Sequence, residues 1–121
     1  MRILVVDDEA DVRPLYEQRF RKEIRSGQVA LQFAQSGWEA LAALENDSGD
    51  TLILSDINMP GMSGLDLLKT VKEQRKDRKV FLVTAYGNEE YQRQAEAYGC
   101  DDYLTKPIDF QQLKAKLLPA P

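Results

Sequence analysis

Histidine is absent from the 121 residues. Its absence removes imidazole-ligated zinc and every catalytic triad that uses a histidine. A single cysteine, Cys100, excludes an internal disulfide and a cysteine-rich metal site. No apolar stretch approaches the ~20 residues that span a bilayer. Nor does a basic segment followed by an apolar one mark a signal peptide, so the chain reads as cytoplasmic with no membrane partner. Positive charge is not in excess either: 16 Lys and Arg face 20 Asp and Glu, a formal net charge of −4. Nucleic acid binding by this domain alone is therefore not expected. The one basic cluster, Arg19, Arg21, Lys22 and Arg25, reads as a solvated helix face. Internal repeats and low-complexity segments are lacking.

What is present is a regular alternation. Hydrophobic residues make up 43% of the chain, enough for one domain with one core. Short aliphatic runs predict strands over residues 2–6, 29–34, 51–55, 79–84 and 102–105. Amphipathic periodicity predicts helices over 10–25, 37–46, 64–74, 89–98 and 110–118. In the first helix Val12, Leu15, Tyr16, Phe20 and Ile24 are expected on one face, with Pro14 tolerated in the first turn. Residues 47–50 form a turn, Gly99 is placed to end the fourth helix in the left-handed conformation, and Asp109 is placed to cap the last. Five β–α repeats whose strands are apolar on both faces imply an α/β fold, a parallel sheet covered by helices on both sides. Residues 1–118 form this domain, and 119–121 read as a tail or the start of a linker.

Polar residues fall at the C-terminal ends of these runs. Asp7 and Asp8 follow Ile3-Leu4-Val5-Val6, and Asp56 follows Leu52-Ile53-Leu54-Ser55. Thr84 follows Val80-Phe81-Leu82-Val83, and Lys106 follows Tyr103-Leu104-Thr105. In an open parallel sheet those ends converge on one edge, where ligands bind. Taken singly, each residue is a common turn, cap or solvated surface residue. Gathered, three carboxylates repel one another unless a cation intervenes, and Mg²⁺ favours one or two carboxylates with water and phosphate oxygens. A carboxylate there can act as a nucleophile and form an aspartyl-phosphate. Lys106 would pair with an oxygen of the transferred group, and the Thr84 hydroxyl would donate to another.

The motifs Val5-Val6-Asp7-Asp8-Glu9, Ser55-Asp56-Ile57-Asn58-Met59-Pro60 followed by Gly64, Val83-Thr84-Ala85 and Tyr103-Leu104-Thr105-Lys106-Pro107 resemble those of a two-component response regulator receiver domain. Each is weak alone; in this order and spacing they are specific and cover nearly the whole chain. The resemblance implies a flavodoxin-like (βα)5 domain with strand order 2-1-3-4-5. It implies that Asp56 is the phosphoacceptor, and that Asp8, Asp7, Asp56 and the Asn58 backbone carbonyl form the Mg²⁺ site. Lys106 and Thr84 would stabilise the phosphoryl group, with a cis bond before Pro107. Thr84 and Tyr103 would form a switch pair, the aromatic ring turning inward behind the hydroxyl. Asn58 and Tyr86 would flank the phosphoryl group and tune its lifetime. A bulky Tyr86 obstructing water predicts slow self-dephosphorylation, which an unchanged aspartyl-phosphate lifetime in Tyr86→Ala would refute.

The implied partner is a histidine kinase or a histidine phosphotransfer protein, docking over Asp11, Pro14, Leu15, Pro107 and Ile108. The implied output surface is the fourth helix, fifth strand and fifth helix, through which homodimerisation or a covalently attached output domain would act. Catalysis would extend only to the domain's own phosphorylation and dephosphorylation. Two other readings stay open on the residues alone. A phosphatase of the haloacid dehalogenase type also uses an aspartate nucleophile, but carries Asp-x-Asp where this chain has adjacent aspartates. A flavodoxin-like nucleotide or flavin binder would need a Gly- or Ser/Thr-rich phosphate loop where Asp7-Asp8-Glu9 stands. Trp38 is expected to lie away from the site, Met59 and Met62 to serve loop and edge packing, and Cys100 to be a buried, inert thiol.

Overall fold

The protein is described by a computed structural model over residues 1–85 and 89–118. The aliphatic runs become β1 (Arg2–Val6), β2 (Ala30–Ala34), β3 (Thr51–Asp56), β4 (Val80–Thr84) and β5 (Asp102–Thr105). They pair in parallel as β2-β1-β3-β4-β5, the expected order. Six helices connect them among the described residues: α1 (Val12–Arg19), α2 (Arg21–Ser26), α3 (Gly37–Leu44), α4 (Gly64–Gln74), α5 (Glu89–Ala97) and α6 (Phe110–Leu117). The register places Val6 beside Ser55, Asp56 beside Val83 and Thr84 beside Thr105, so the polar residues that end the strands lie along one edge.

Alternate strand residues feed two apolar layers, which is why the runs show no polar alternation. Leu4, Val6, Ile53 and Leu82 pack with Leu67, Leu68 and Val71 of α4 and Ala95 of α5. On the other face Ile3, Val5, Leu54 and Val83 meet Tyr16, Phe20, Leu113 and Leu117 from the α1 and α6 side. Local chemistry sets the helix ends. Ser36 accepts the Glu39 N–H to start α3. Ser63 and Asp66 form a reciprocal capping box on α4. Asp109 accepts from the Gln111 and Gln112 N–H groups to start α6, as its position predicts. Gly99 has φ 87°, the left-handed value its place after α5 requires.

The first helix departs from expectation. It divides at Phe20, whose φ of −100° and ψ of 16° leave the helical region. The backbone ladder persists on both sides, Phe20 N–H reaching Tyr16 O and Ile24 N–H reaching Phe20 O. Phe20 is fully buried, stacked on Tyr16 at 6.3 Å and edge-on to Phe110. Burying the Tyr16 and Phe20 rings takes precedence over a uniform face. Leu15 and Ile24, expected to point inward, are exposed.

A buried ion pair closes the opposite edge of the sheet. Asp47, read from sequence as a turn residue, accepts Arg78 Nη1 at 2.8 Å, the Thr51 hydroxyl at 2.6 Å and the Gly49 N–H at 2.9 Å. Their side chains are 8% and 5% exposed. No helix among the described residues is long and apolar enough to cross a membrane.

Candidate functional site

The edge formed by the strand C-termini gathers the expected residues. Asp7 leaves β1 and Asp56 ends β3, both buried, while Asp8 faces solvent. One carboxylate oxygen from each of Asp7, Asp8 and Asp56 lies within 4.8 Å of the others. The Lys106 ammonium, delivered from the end of β5, stands 3.4 Å from Asp56 Oδ2 and 3.6 Å from Asp7 Oδ2. The bond between Lys106 and Pro107 is cis. Lys106 N–H donates to Thr84 O at 2.8 Å, fixing the strap that carries the lysine to the end of β4. Thr84 itself is fully buried.

Backbone donors hold the two buried carboxylates. Asp7 Oδ1 accepts the Glu9 N–H at 2.9 Å, and Asp56 Oδ1 accepts the Asn58 N–H at 3.3 Å. Glu9 thus supplies a backbone donor to the site. Burial raises the Asp7 pKa; the Glu9 N–H and Lys106 oppose the rise, and the charges of Asp56 and Asp8 add to it. For Lys106 burial is the largest effect and works downward. The charges of Asp56 and Asp7, with the hydrogen bond to Asp56, outweigh it and raise the pKa. The ammonium is therefore held charged between two carboxylates while remaining 32% exposed, so it is free to turn towards an incoming anion.

The hard oxygen donors of Asp7, Asp8 and Asp56 fit a divalent ion such as Mg²⁺, since a cation there would relieve the repulsion that raises the Asp7 pKa. Gly64 has a role the motif alone does not reveal. A β-carbon on it would overlap the Asp56 carbonyl oxygen, and its N–H donates to Ile57 O at 2.9 Å. The start of α4 therefore packs directly on the backbone that carries Asp56, and any side chain at position 64 must displace one or the other.

Other expected positions are distributed around this centre. Asn58 is exposed beside it. Tyr86, expected to flank the phosphoryl group, lies outside the described residues. Asp11, Pro14, Leu15 and Pro107 are exposed and Ile108 is half-buried on the neighbouring rim. Tyr103, expected to form the switch pair with Thr84, is half-buried against the layer under α4 and α5. Its hydroxyl oxygen is enclosed. Burial raises its pKa and the Thr84 hydroxyl draws it back. Trp38 is 68% exposed. Met59 is buried in the core and Met62 packs against it, covering Gly37. Cys100 is half-buried, less enclosed than expected, and burial raises its thiol pKa.

Sequence reasoning placed Tyr16 in the core and missed its nearness to the site. It is 4% exposed yet borders the same cavity as Asp56 and Lys106. Burial above all, then the charges of Asp7 and Asp56, push its pKa well above the ordinary phenol value. The available signal was its place one turn into the helix that follows Asp7 and Asp8.

A family model described as response regulator receiver domain matches residues 3–118. The two-component response regulator PhoP of Pseudomonas aeruginosa is 35% identical over 117 residues, covering 97% of this chain and 50% of PhoP. Sporulation initiation phosphotransferase F of Bacillus subtilis is 32% identical, covering 93% of this chain and 87% of that protein. Among solved structures, the response regulator TrrA of Thermotoga maritima in complex with Mg²⁺ and BeF superposes with a TM-score of 0.76. It is 36% identical, with 96% of this chain and 95% of TrrA covered. The chain spans half or less of the length of the first curated relatives it matches.

Proposed function

The chain belongs to the response regulator receiver domain family, and from that premise we propose that it takes a phosphoryl group from a histidine kinase or phosphotransfer protein onto Asp56. Receiver domains are phosphorylation-activated signalling modules, and catalysis here is confined to the domain's own modification. The observation that carries the assignment to Asp56 is the Lys106 ammonium 3.4 Å from its Oδ2, beside two further carboxylates. In the reaction an Asp56 oxygen attacks phosphorus, and the bond between phosphorus and the donor breaks with its electron pair leaving on the donor. Lys106 exchanges its carboxylate contact for a phosphoryl oxygen, and the Thr84 hydroxyl donates to another. Asp7, Asp8, Asp56 and the Asn58 carbonyl would hold Mg²⁺, which neutralises charge on the transferred group when bound. The Asn58 N–H keeps the Asp56 carboxylate oriented.

Activation then acts on packing. Once Thr84 is drawn to the phosphoryl group, the inward position of the Tyr103 ring is favoured, which biases the α5-β5-α6 surface. That surface would change its affinity for a second copy or for an attached output domain. The phosphodonor protein would dock over Asp11, Pro14, Leu15, Pro107 and Ile108. Tyr86, with Asn58, would slow loss of the phosphoryl group. The test is incubation with acetyl phosphate, followed by intact mass. We expect one phosphoryl group per chain in Mg²⁺ and none after chelation with EDTA. Uptake that is indifferent to chelation would sink the proposed metal site.

A further inference from the structure

A hydroxyl interrupts the apolar layer beneath α4. Residues two apart in a strand share a face, so Ser55 of β3 points to the same side as Ile53 and Ile57. Those two pack with Leu67 and Leu68 in the layer. Ser55 is 0% exposed among them. A buried hydroxyl costs stability unless it is hydrogen-bonded. Here Ser55 Oγ donates to the Asp56 carbonyl oxygen at 3.0 Å.

That oxygen stands where the sheet ladder stops. The Asp56 carbonyl and the Ile57 N–H belong to one peptide unit, and the N–H reaches Val83 O of β4 at 2.9 Å. In a trans unit the carbonyl therefore points away from β4, towards β1. The pairing of β1 with β3 ends one residue earlier, at Val6 and Ser55. A buried carbonyl at that place needs a donor from outside the ladder, and the Ser55 hydroxyl supplies it. Gly64 leaves the approach open, since a β-carbon on it would overlap the same oxygen. The unit is thus held at both ends, by β4 through its N–H and by Ser55 through its carbonyl.

The turn that completes the site grows from this unit. Ile57 O accepts the Gly64 N–H at 2.9 Å and the Met59 N–H at 3.1 Å. The Asn58 N–H returns to Asp56 Oδ1 at 3.3 Å. Rotation of the unit would swing the Asp56 carboxylate away from Lys106, which stands 3.4 Å from Oδ2.

We propose that Ser55 is a positioning residue for phosphoryl transfer: its hydroxyl fixes the peptide plane that follows Asp56 and so keeps the carboxylate aimed at the incoming phosphorus. This role presupposes the reading of Asp56 as the phosphoacceptor. Adjacent strand residues point to opposite faces, so the Ser55 side chain acts on the carboxylate through the backbone. No bond to Ser55 forms or breaks in the reaction.

The test compares Ser55→Ala, Ser55→Val and Ser55→Thr with the parent. Threonine and valine match in shape, and only threonine keeps the donor. The rate of modification by acetyl phosphate is measured at saturating Mg²⁺ and corrected for the folded fraction from urea unfolding. We expect Ser55→Ala and Ser55→Val to be slowed about tenfold, the scale of one lost hydrogen bond that misaligns a reacting group. Ser55→Thr should return most of the rate. The Ile57 amide nitrogen resonance, which reports hydrogen bonding at the Asp56 carbonyl, should lie near the parent position in Ser55→Thr and move in Ser55→Val. Parent-like rates in Ser55→Ala and Ser55→Val, with only the urea midpoint lowered, would reduce Ser55 to a packing residue and overturn the proposal. Equal rates in Ser55→Thr and Ser55→Val would overturn the role of the hydroxyl. Modification that persists in Asp56→Asn removes the acceptor assignment itself, whatever the Ser55 variants show, and this role with it.

Discussion

Asp56→Asn is expected to take up no phosphoryl group from acetyl phosphate, a loss of at least about a thousandfold, the scale seen when a residue acting as a unit with its neighbours is removed. The substitution keeps the shape of the side chain, so the strand pairing of Asp56 with Val83 and the close approach of Gly64 are preserved. What changes is chemistry. An amide oxygen is a poor nucleophile and a weaker ligand for a hard cation. Lys106 retains Asp7 as a partner at 3.6 Å, so the ammonium stays in place and a folded, inactive protein results. Intact mass after Mg²⁺-dependent modification, with circular dichroism on the same sample, checks this. A modified Asp56→Asn protein would move the acceptor to another carboxylate, Asp7 or Asp8.

The second large effect lies at the other edge of the sheet. Asp47→Ala is expected to destabilise the fold by about 3–5 kcal/mol, the usual cost of leaving one member of a buried ion pair alone. That is a large fraction of the stability of a domain of this size. The Arg78 guanidinium, 5% exposed, loses its carboxylate, and the Thr51 hydroxyl and Gly49 N–H lose their acceptor together. Replacing the arginine as well, as Asp47→Ala with Arg78→Met, should recover most of the loss because no charge is then stranded. Urea unfolding of the parent, the two single variants and the double variant measures the coupling. Additive losses would show that the pair does not act as a unit.

The same residue predicts a pH dependence. Burial works to raise the Asp47 pKa, but the Thr51 hydroxyl, Arg78 and the Gly49 N–H outweigh it and hold the carboxyl well below the usual range. Its folded pKa is thus depressed, so its contribution is complete above the ordinary aspartate value of about 4. It is lost as pH falls from there towards the folded value. The parent should lose stability across that acidic window more steeply than Asp47→Ala.

Much of the site was legible because its logic is one-dimensional. Aliphatic runs that end in Asp, Thr or Lys identify strand ends without any contact being known, and parallel pairing brings those ends to one edge. Asp109 and Gly99 were readable for a similar reason, since caps depend on residues next in line. The break at Phe20 was not readable. Periodicity describes one straight helix, whereas the bend arises where the Tyr16 and Phe20 rings meet Phe110, ninety residues further along from Phe20. Asp47 read as a turn residue because its main partner, Arg78, lies 31 positions away.

The order of residues alone determined the alternation of strands and helices, the two-sided burial of the sheet and the set of residues at its active edge, because these depend on local propensity and on hydrophobic spacing. Only the tertiary structure decided that the Lys106 ammonium bridges Asp56 and Asp7, that Gly64 presses on the Asp56 backbone, and that a cavity lined in part by Tyr16 opens beneath α1. Those facts are distances between side chains remote in sequence. They come into being when apolar layers on both faces of the sheet fix where each helix must lie.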